Sequence, residues 1–300
     1  MHATKRTSRG LLVSAALLLA AGSAVVLGQL IGASGAAAKP SAHASKAVTY
    51  VQRTFQMNGA NEKRRLVARC PGRLVPLGGG MTSSPAPSSD GEGVYPHSYE
   101  RLGVQHGYHS TVVLFDPSPS STTARSVTLQ AACASKQKHV TPPHKTVFVN
   151  PGETRTAVAT CPGRRQLFGG GFQRTDFVGR GGDYVTESRA ISSKSWSVTG
   201  HAFGGFGGEL TAIAYCWHSK KPLLTEVSGS TTVGTGSFGT ATTPSCPAGN
   251  LVFGGFSTSP TGSALFTNGF INTNGSWQAS AFNHFGPSAT LTAYGYCLKL

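Results

Sequence analysis

The side chains that could do chemistry in this chain are few and scattered. Acids number 11 in 300 residues. Glycoside hydrolysis needs two carboxylates held a few ångströms apart. Asp90, Glu92 and Glu100 cluster in sequence, in a Gly/Ser/Pro-rich stretch, where solvated loop charges are the expected reading. No acid recurs between the repeats described below; Glu187, for example, aligns with Asn268. His97, His106 and His109 sit in the same region. His-Gly-Tyr-His sets two imidazoles three residues apart and with His97 would begin a metal site. Without a helix that spacing fixes no geometry, so surface histidines are expected. The sequence has no G-x-S-x-G, no H-E-x-x-H and no phosphate loop. It therefore predicts no catalytic residues, no cofactor and no metal.

Recognition chemistry is better represented. Trp196 and Trp277 hold matching positions, and each is followed by a loop rich in aromatic and polar groups. Aromatic faces stack on sugar rings, and imidazole and carboxamide groups hydrogen-bond hydroxyls. The tryptophans themselves are expected in the core. The candidate ligand-binding residues are therefore those of the loops: His201, Phe203, Phe206, Asn283, His284 and Phe285.

The formal net charge is +15, and without Lys5, Arg6, Arg9 and Lys39 it is +11, from 22 basic and 11 acidic residues. Such a surface attracts anionic polymers. The basic groups are not interleaved with aromatics as in single-strand binders, so nucleic acid is not an expected partner.

These residues are positioned by a repeat. CPGRLVPLGGGM from Cys70, CPGRRQLFGGGF from Cys161 and CPAGNLVFGGF from Cys246 each open a unit. Each unit closes on a second cysteine, at Cys133, Cys216 and Cys297. An even cysteine count in an exported chain implies disulfides, and the repeat selects Cys70–Cys133, Cys161–Cys216 and Cys246–Cys297. Trp196 to Trp277 and Cys216 to Cys297 both span 81 residues, so those stretches align without a gap. The same subtraction puts Val113 of the first unit opposite the tryptophans, and reads the shorter GGF of the third unit as loss of one glycine. Leu210, Ala212, Ala214 and Cys216 alternate with Thr211, Ile213 and Tyr215, which is strand periodicity. The glycine runs mark places where the units crowd one another or a Trp ring.

The predicted fold is all-β: three tandem disulfide-stapled antiparallel β repeats, closed as a pseudo-threefold prism because closure removes edge strands. The repeats are assigned to 45–139, 140–221 and 222–300. Residues 1–44 read as a signal peptide and small-residue spacer: Lys5, Arg6 and Arg9, then uncharged Leu11 to Leu27, then small residues. Secretion is expected, with a membrane anchor as the alternative if that segment stays uncleaved.

The pattern CPxG, GGGF, SW and LTAYxxC resembles secreted repeat proteins of high-GC Gram-positive bacteria, over residues 45 to 300. The early Cys-Pro and late aromatic-Cys of each unit are also similar to the β-prism of the vitelline membrane outer layer protein I family. That likeness implies a three-sheet prism with a carbohydrate-facing surface. The functional expectation is a secreted non-catalytic binding protein for polysaccharide or anionic cell-wall polymer. The alternatives are a structural or surface-coat protein, and a hydrolase using the divergent first repeat.

Overall fold

In a computed structural model the chain is described over residues 48–58, 62–86, 93–102, 107–115, 124–135, 142–175, 183–203, 205, 207–261, 264–283 and 286–299. The expected signal segment lies outside the described residues. Among those described there is no helix; all regular structure is strand, within one compact unit, Ala44–Leu300.

The first repeat supplies β1 (Thr49–Met57), β2 (Lys63–Arg69), β3 (Val75–Ser84), β4 (Gly93–Pro96), β5 (Ser98–Leu102), β6 (Gly107–Phe115) and β7 (Arg125–Ala134). The second supplies β8 (His144–Val149), β9 (Thr154–Thr160), β10 (Arg165–Thr175), β11 (Asp183–Ala190), β12 (Ser195–Ala202) and β13 (Gly208–His218). The third supplies β14 (Leu224–Val233), β15 (Ser237–Thr242), β16 (Asn250–Ser259), β17 (Leu265–Ile271), β18 (Trp277–Asn283) and β19 (Ala289–Leu298). The three disulfides pair as the repeat requires, with Cα–Cα distances of 5.5 to 5.7 Å. They close loops of 51 to 63 residues, a length at which one crosslink is worth about 4 kcal/mol through the unfolded chain.

The units are not beads. Each antiparallel sheet is made by two of them. One runs β1-β7-β3-β17-β18-β15, half from the first unit and half from the third. The next runs β2-β6-β5-β10-β13-β8, with β4 on β6, from the first and second. The last runs β14-β19-β16-β11-β12-β9, from the third and second. The exchanges form a ring, and the inner faces share one core. Closure does not remove edges, however. β1 and β2, β8 and β9, and β14 and β15 are hairpin partners, yet the members of each pair are edge strands of different sheets. Three corners result, each made by one hairpin.

The glycines mark the tightest places. Each Cys-Pro strand has a bulge at Leu77, Phe168 or Val252, just before the glycine run. Register then makes Gly78, Gly169 and Phe253 equivalent. The third unit has thus replaced its first glycine with Phe253, and its missing residue falls in the turn after Cys246. A Cβ on Gly170 would lie inside the Trp196 ring, and one on Gly254 inside that of Trp277. A Cβ on Gly171 or Gly255 would strike the backbone of the strand donated by the neighbouring unit. Crowding by a ring and crowding by another unit therefore occur at adjacent positions.

In the first unit the residue under the glycine is Tyr108, not Val113. Tyr108 pairs with Ala68 and Arg101 as Trp196 pairs with Ala159 and Ala190. From this aromatic to the closing cysteine is 25 residues in the first unit and 20 in the others. The insertion therefore lies between β6 and β7, where subtraction of cysteine positions cannot place it. Neighbouring volumes compensate. Tyr108 lies against Tyr99, with centroids 6.2 Å apart. Trp196 has Ser188 at that place and donates Nε1–H to its Oγ at 3.0 Å. Trp277 has Gly269.

Candidate binding clefts at the sheet seams

Where two units join within a sheet, the ladder between them is short. It comprises Phe172–Tyr99 and Gln173–Ser98 in one sheet, and Glu187–Ser257 and Ser188–Phe256 in another. In the third sheet it is Gly269–Met81. Beyond these rungs the strands part, and a side chain satisfies the next backbone donor. The Tyr215 hydroxyl accepts from Arg101 N–H at 2.6 Å, and the Tyr296 hydroxyl from Ala190 N–H at 2.7 Å. The first unit has Ala132 at the matching place. There Gln130, two residues earlier, bridges both groups of Ile271: Oε1 accepts its N–H at 2.7 Å and Nε2 donates to its carbonyl at 3.0 Å.

Past this bridge the diverging backbone leaves a cleft. In the sheet shared by the second and third units it has a volume of about 340 Å³. Tyr296, Arg189, Glu226, Ser192, Ser193 and Leu223 are among its walls. Arg189 is held by Glu187, Nε to Oε2 3.3 Å, and its guanidinium lies 5.4 Å from the Tyr294 ring centre. Partial burial raises the Glu226 carboxyl pKa, while its hydrogen bond with Tyr296 and the charge of Arg189 pull it back down. In the sheet shared by the first and third units the corresponding cleft holds about 230 Å³. It is lined by Tyr50, Gln52, Gln130, Ile271, Asn272, Thr273 and Gly275. The Tyr50 ring is 45% exposed, yet its hydroxyl donates to Leu251 O at 2.7 Å, which fixes the ring across two units.

The sequence-predicted site residues divide. His201 and Phe203 come together, with ring centroids 4.3 Å apart, and Phe203 packs on Tyr184 at 5.3 Å. Tyr95 completes this aromatic group from the first unit, 6.2 Å from Tyr184, and the Arg174 guanidinium lies 5.9 Å from the Tyr184 ring centre. Burial lowers the pKa of His201, whose Nδ1 is 2.7 Å from Thr154 Oγ1. Asn283 is fully buried and committed to its own turn. Its Nδ2 donates to Val233 O at 3.1 Å and Pro287 O at 2.8 Å, and its Oδ1 accepts from Gly286 N–H at 3.2 Å. These bonds use both Nδ2 hydrogens and one of the two lone pairs of Oδ1. Phe206, His284 and Phe285 lie outside the described residues.

The histidine and carboxylate cluster also looks different in three dimensions. His97 and His109 are buried rather than on the surface, 4% and 6% exposed. His109 Nε2 is 3.3 Å from Glu100 Oε1. Burial, then the charges of Arg174 and Lys63, push the His97 pKa down to about 2. His106, Asp90 and Glu92 lie outside the described residues. Among those described, no three His, Cys, Asp or Glu side chains converge as metal ligands would. Trp196 and Trp277 are core residues, 1% and 2% exposed.

The seam residues Tyr50, Gln52, Arg189, Glu226, Asn272 and Tyr296 went unnoticed in sequence. The available signal was the recurring Tyr-Cys of AYC and GYC, whose tyrosines bridge two of the seams. No protein-family model matches the chain, and no curated protein matches it.

Proposed function

We propose that this protein is exported and acts by binding, without catalysis, a carbohydrate of the cell wall or cell surface. The observation that carries this reading is the recurrence of one cleft at equivalent seams, each walled by a fixed tyrosine beside hydroxyl, carboxamide or charged groups. Volumes of about 230 and 340 Å³ lie near the lower end for small-ligand sites and suit one or two sugar rings. The smaller cleft has the simpler chemistry: an exposed ring to stack on, with Gln52, Asn272 and Thr273 to hydrogen-bond hydroxyls. Three disulfides and a basic N-terminus followed by an uncharged apolar run support export.

Retention on insoluble polysaccharides and purified cell walls at high salt tests this. The protein is expected to stay bound. Tyr50→Ala is expected to weaken retention roughly tenfold, as loss of one stacked ring does, while Tyr50→Phe, which loses only the bond to Leu251 O, is expected to stay bound. Phe203→Ser separates the seam cleft from the His201 aromatic group as the seat of binding. If the unaltered protein is retained by no polymer and instead assembles as its concentration rises, the coat-protein reading replaces this one.

A further inference from the structure

The net charge is unevenly divided among three units of one fold. Residues 45–139 carry 11 basic and 5 acidic residues, and residues 140–221 carry 10 and 5. Residues 222–300 carry one of each, Lys299 and Glu226. All of the +11 therefore belongs to the first two units.

Register shows where the difference falls. At the corner made by β1 and β2, five positions hold Arg53, Lys63, Arg64, Arg65 and Arg69. The equivalent positions of the second corner hold Lys145, Thr154, Arg155, Thr156 and Thr160. At the third they hold Gly229, Phe238, Gly239, Thr240 and Pro244. The count of cations falls from five to two to none, while the hairpin and its two sheet edges form at all three. The fold itself therefore makes no demand for charge at these positions.

The first corner is also built as a cationic ridge. Its five basic side chains are exposed. Lys63, Arg65 and Arg69 lie on one face of β2, where alternate residues stand about 6.8 Å apart. On the facing strand Phe55 has two guanidinium groups near its ring, Arg53 at 5.4 Å and Arg64 at 6.0 Å. Arg64 Nη1 donates to Gln56 O at 2.6 Å, which anchors one of them. The acid paired with this ridge among the described residues is Glu62, 3.9 Å from Arg64. Phe55 holds the two guanidiniums in place, a cation–π arrangement. With its ring so occupied it is no platform for a nucleobase.

We propose that the β1–β2 corner is the binding surface for a linear phosphodiester polymer of the polyol-phosphate type. Four of the five cations are arginine, whose planar fork matches phosphate oxygens. A row of charges along an extended strand fits a flexible chain that carries a phosphate at short, regular intervals. This surface is separate from the seam clefts and stands whether or not those bind sugar.

The test measures binding of the full chain to a purified glycerol-phosphate polymer across a salt series. Arg53→Thr/Lys63→Thr/Arg65→Thr removes three of the five cations, with the threonines that the second corner has at the equivalents of Lys63 and Arg65, Thr154 and Thr156. It is expected to weaken binding at least tenfold at low salt. The slope of log affinity against log salt should fall by about 2, near 0.7 per cation removed, as for flexible single-stranded polyphosphates. Lys194→Thr/Lys220→Thr/Lys221→Thr removes equal charge elsewhere and is expected to cost less than twofold. Arg53→Lys/Arg65→Lys keeps the charge and is expected to fall between, a readout that holds even if the threonine variant folds poorly. Equal losses in both triple variants would mean that net charge alone is acting, and would overturn the proposal. So would failure of the unaltered protein to bind the polymer, or tighter binding to single-stranded DNA of equal charge.

Discussion

The first and third units are nearly opposite solutions to the same fold. The third stacks Trp277 over Gly269, bridges its seam with Tyr296, and builds its corner from Gly, Thr and Phe. The first stacks Tyr108 against Tyr99, bridges with Gln130, and builds its corner from arginine. What the two share is therefore what the architecture requires. That is a disulfide, a bulge, two glycines pressed between a ring and a foreign strand, and a side chain that satisfies the backbone where the ladder ends. What they do not share is open to function.

The sharpest way to break this comparison is to exchange the aromatic pairs. Tyr108→Trp should overpack against Tyr99 and cost about 3 kcal/mol, the upper range for a forced core enlargement. Adding Tyr99→Ser, which copies the second unit, should recover most of it. Denaturant unfolding of the double-mutant cycle reads the coupling. If Tyr108→Trp is harmless alone, the volumes are not compensating and the equivalence fails.

A second contrast is pH. His97 belongs to the first unit, and its place is taken by Thr186 in the second. Its folded pKa is depressed to about 2, so the folded state keeps it neutral while the unfolded chain takes up a proton below about 6.5. The unfolded state then binds more protons, and stability falls as pH drops below that value, by about 2 kcal/mol at pH 5. His97→Gln should flatten the decline of melting temperature between pH 7 and pH 5. An unchanged slope would assign the acid sensitivity elsewhere.

The smallest effect lies at the seams. Tyr296→Phe strands the Ala190 N–H and should cost about 1–2 kcal/mol. Gln130→Leu strands both the N–H and the carbonyl of Ile271 and should cost more. Equal costs would mean that water replaces the missing bonds at one seam.

The sequence made the repeat, the strands and the disulfide pairing legible because cysteine, Pro-Gly turns and period-two alternation are local signals. Glu187 and Asn268 align as subtraction puts them, opposite Thr199 and Ser280. Tyr108 is hidden because a five-residue insertion follows it, so the distance to the closing cysteine points to Val113 instead. Phe253 was hidden because a lost turn residue and a lost glycine give the same chain length. The seam clefts were not legible at all. Each is walled by residues far apart in the chain, such as Tyr50 and Asn272, and nothing near either one marks the other. That His201 and Phe203 lie together is legible because they are close in sequence. The burial of Asn283 is not legible, because a carboxamide that closes a turn and one that faces solvent look alike in one dimension.

The ring of exchanged half-sheets sets a timetable for assembly. β1, β3 and β7 are synthesised before the other two units of this β structure, yet the half-sheet that completes theirs is β15, β17 and β18, in the last of the three. The earliest part of the chain must therefore wait, unpaired on one side, for nearly the whole molecule. A chain cut short anywhere before Asn283 leaves β1, β7 and β3 without a complete partner half-sheet.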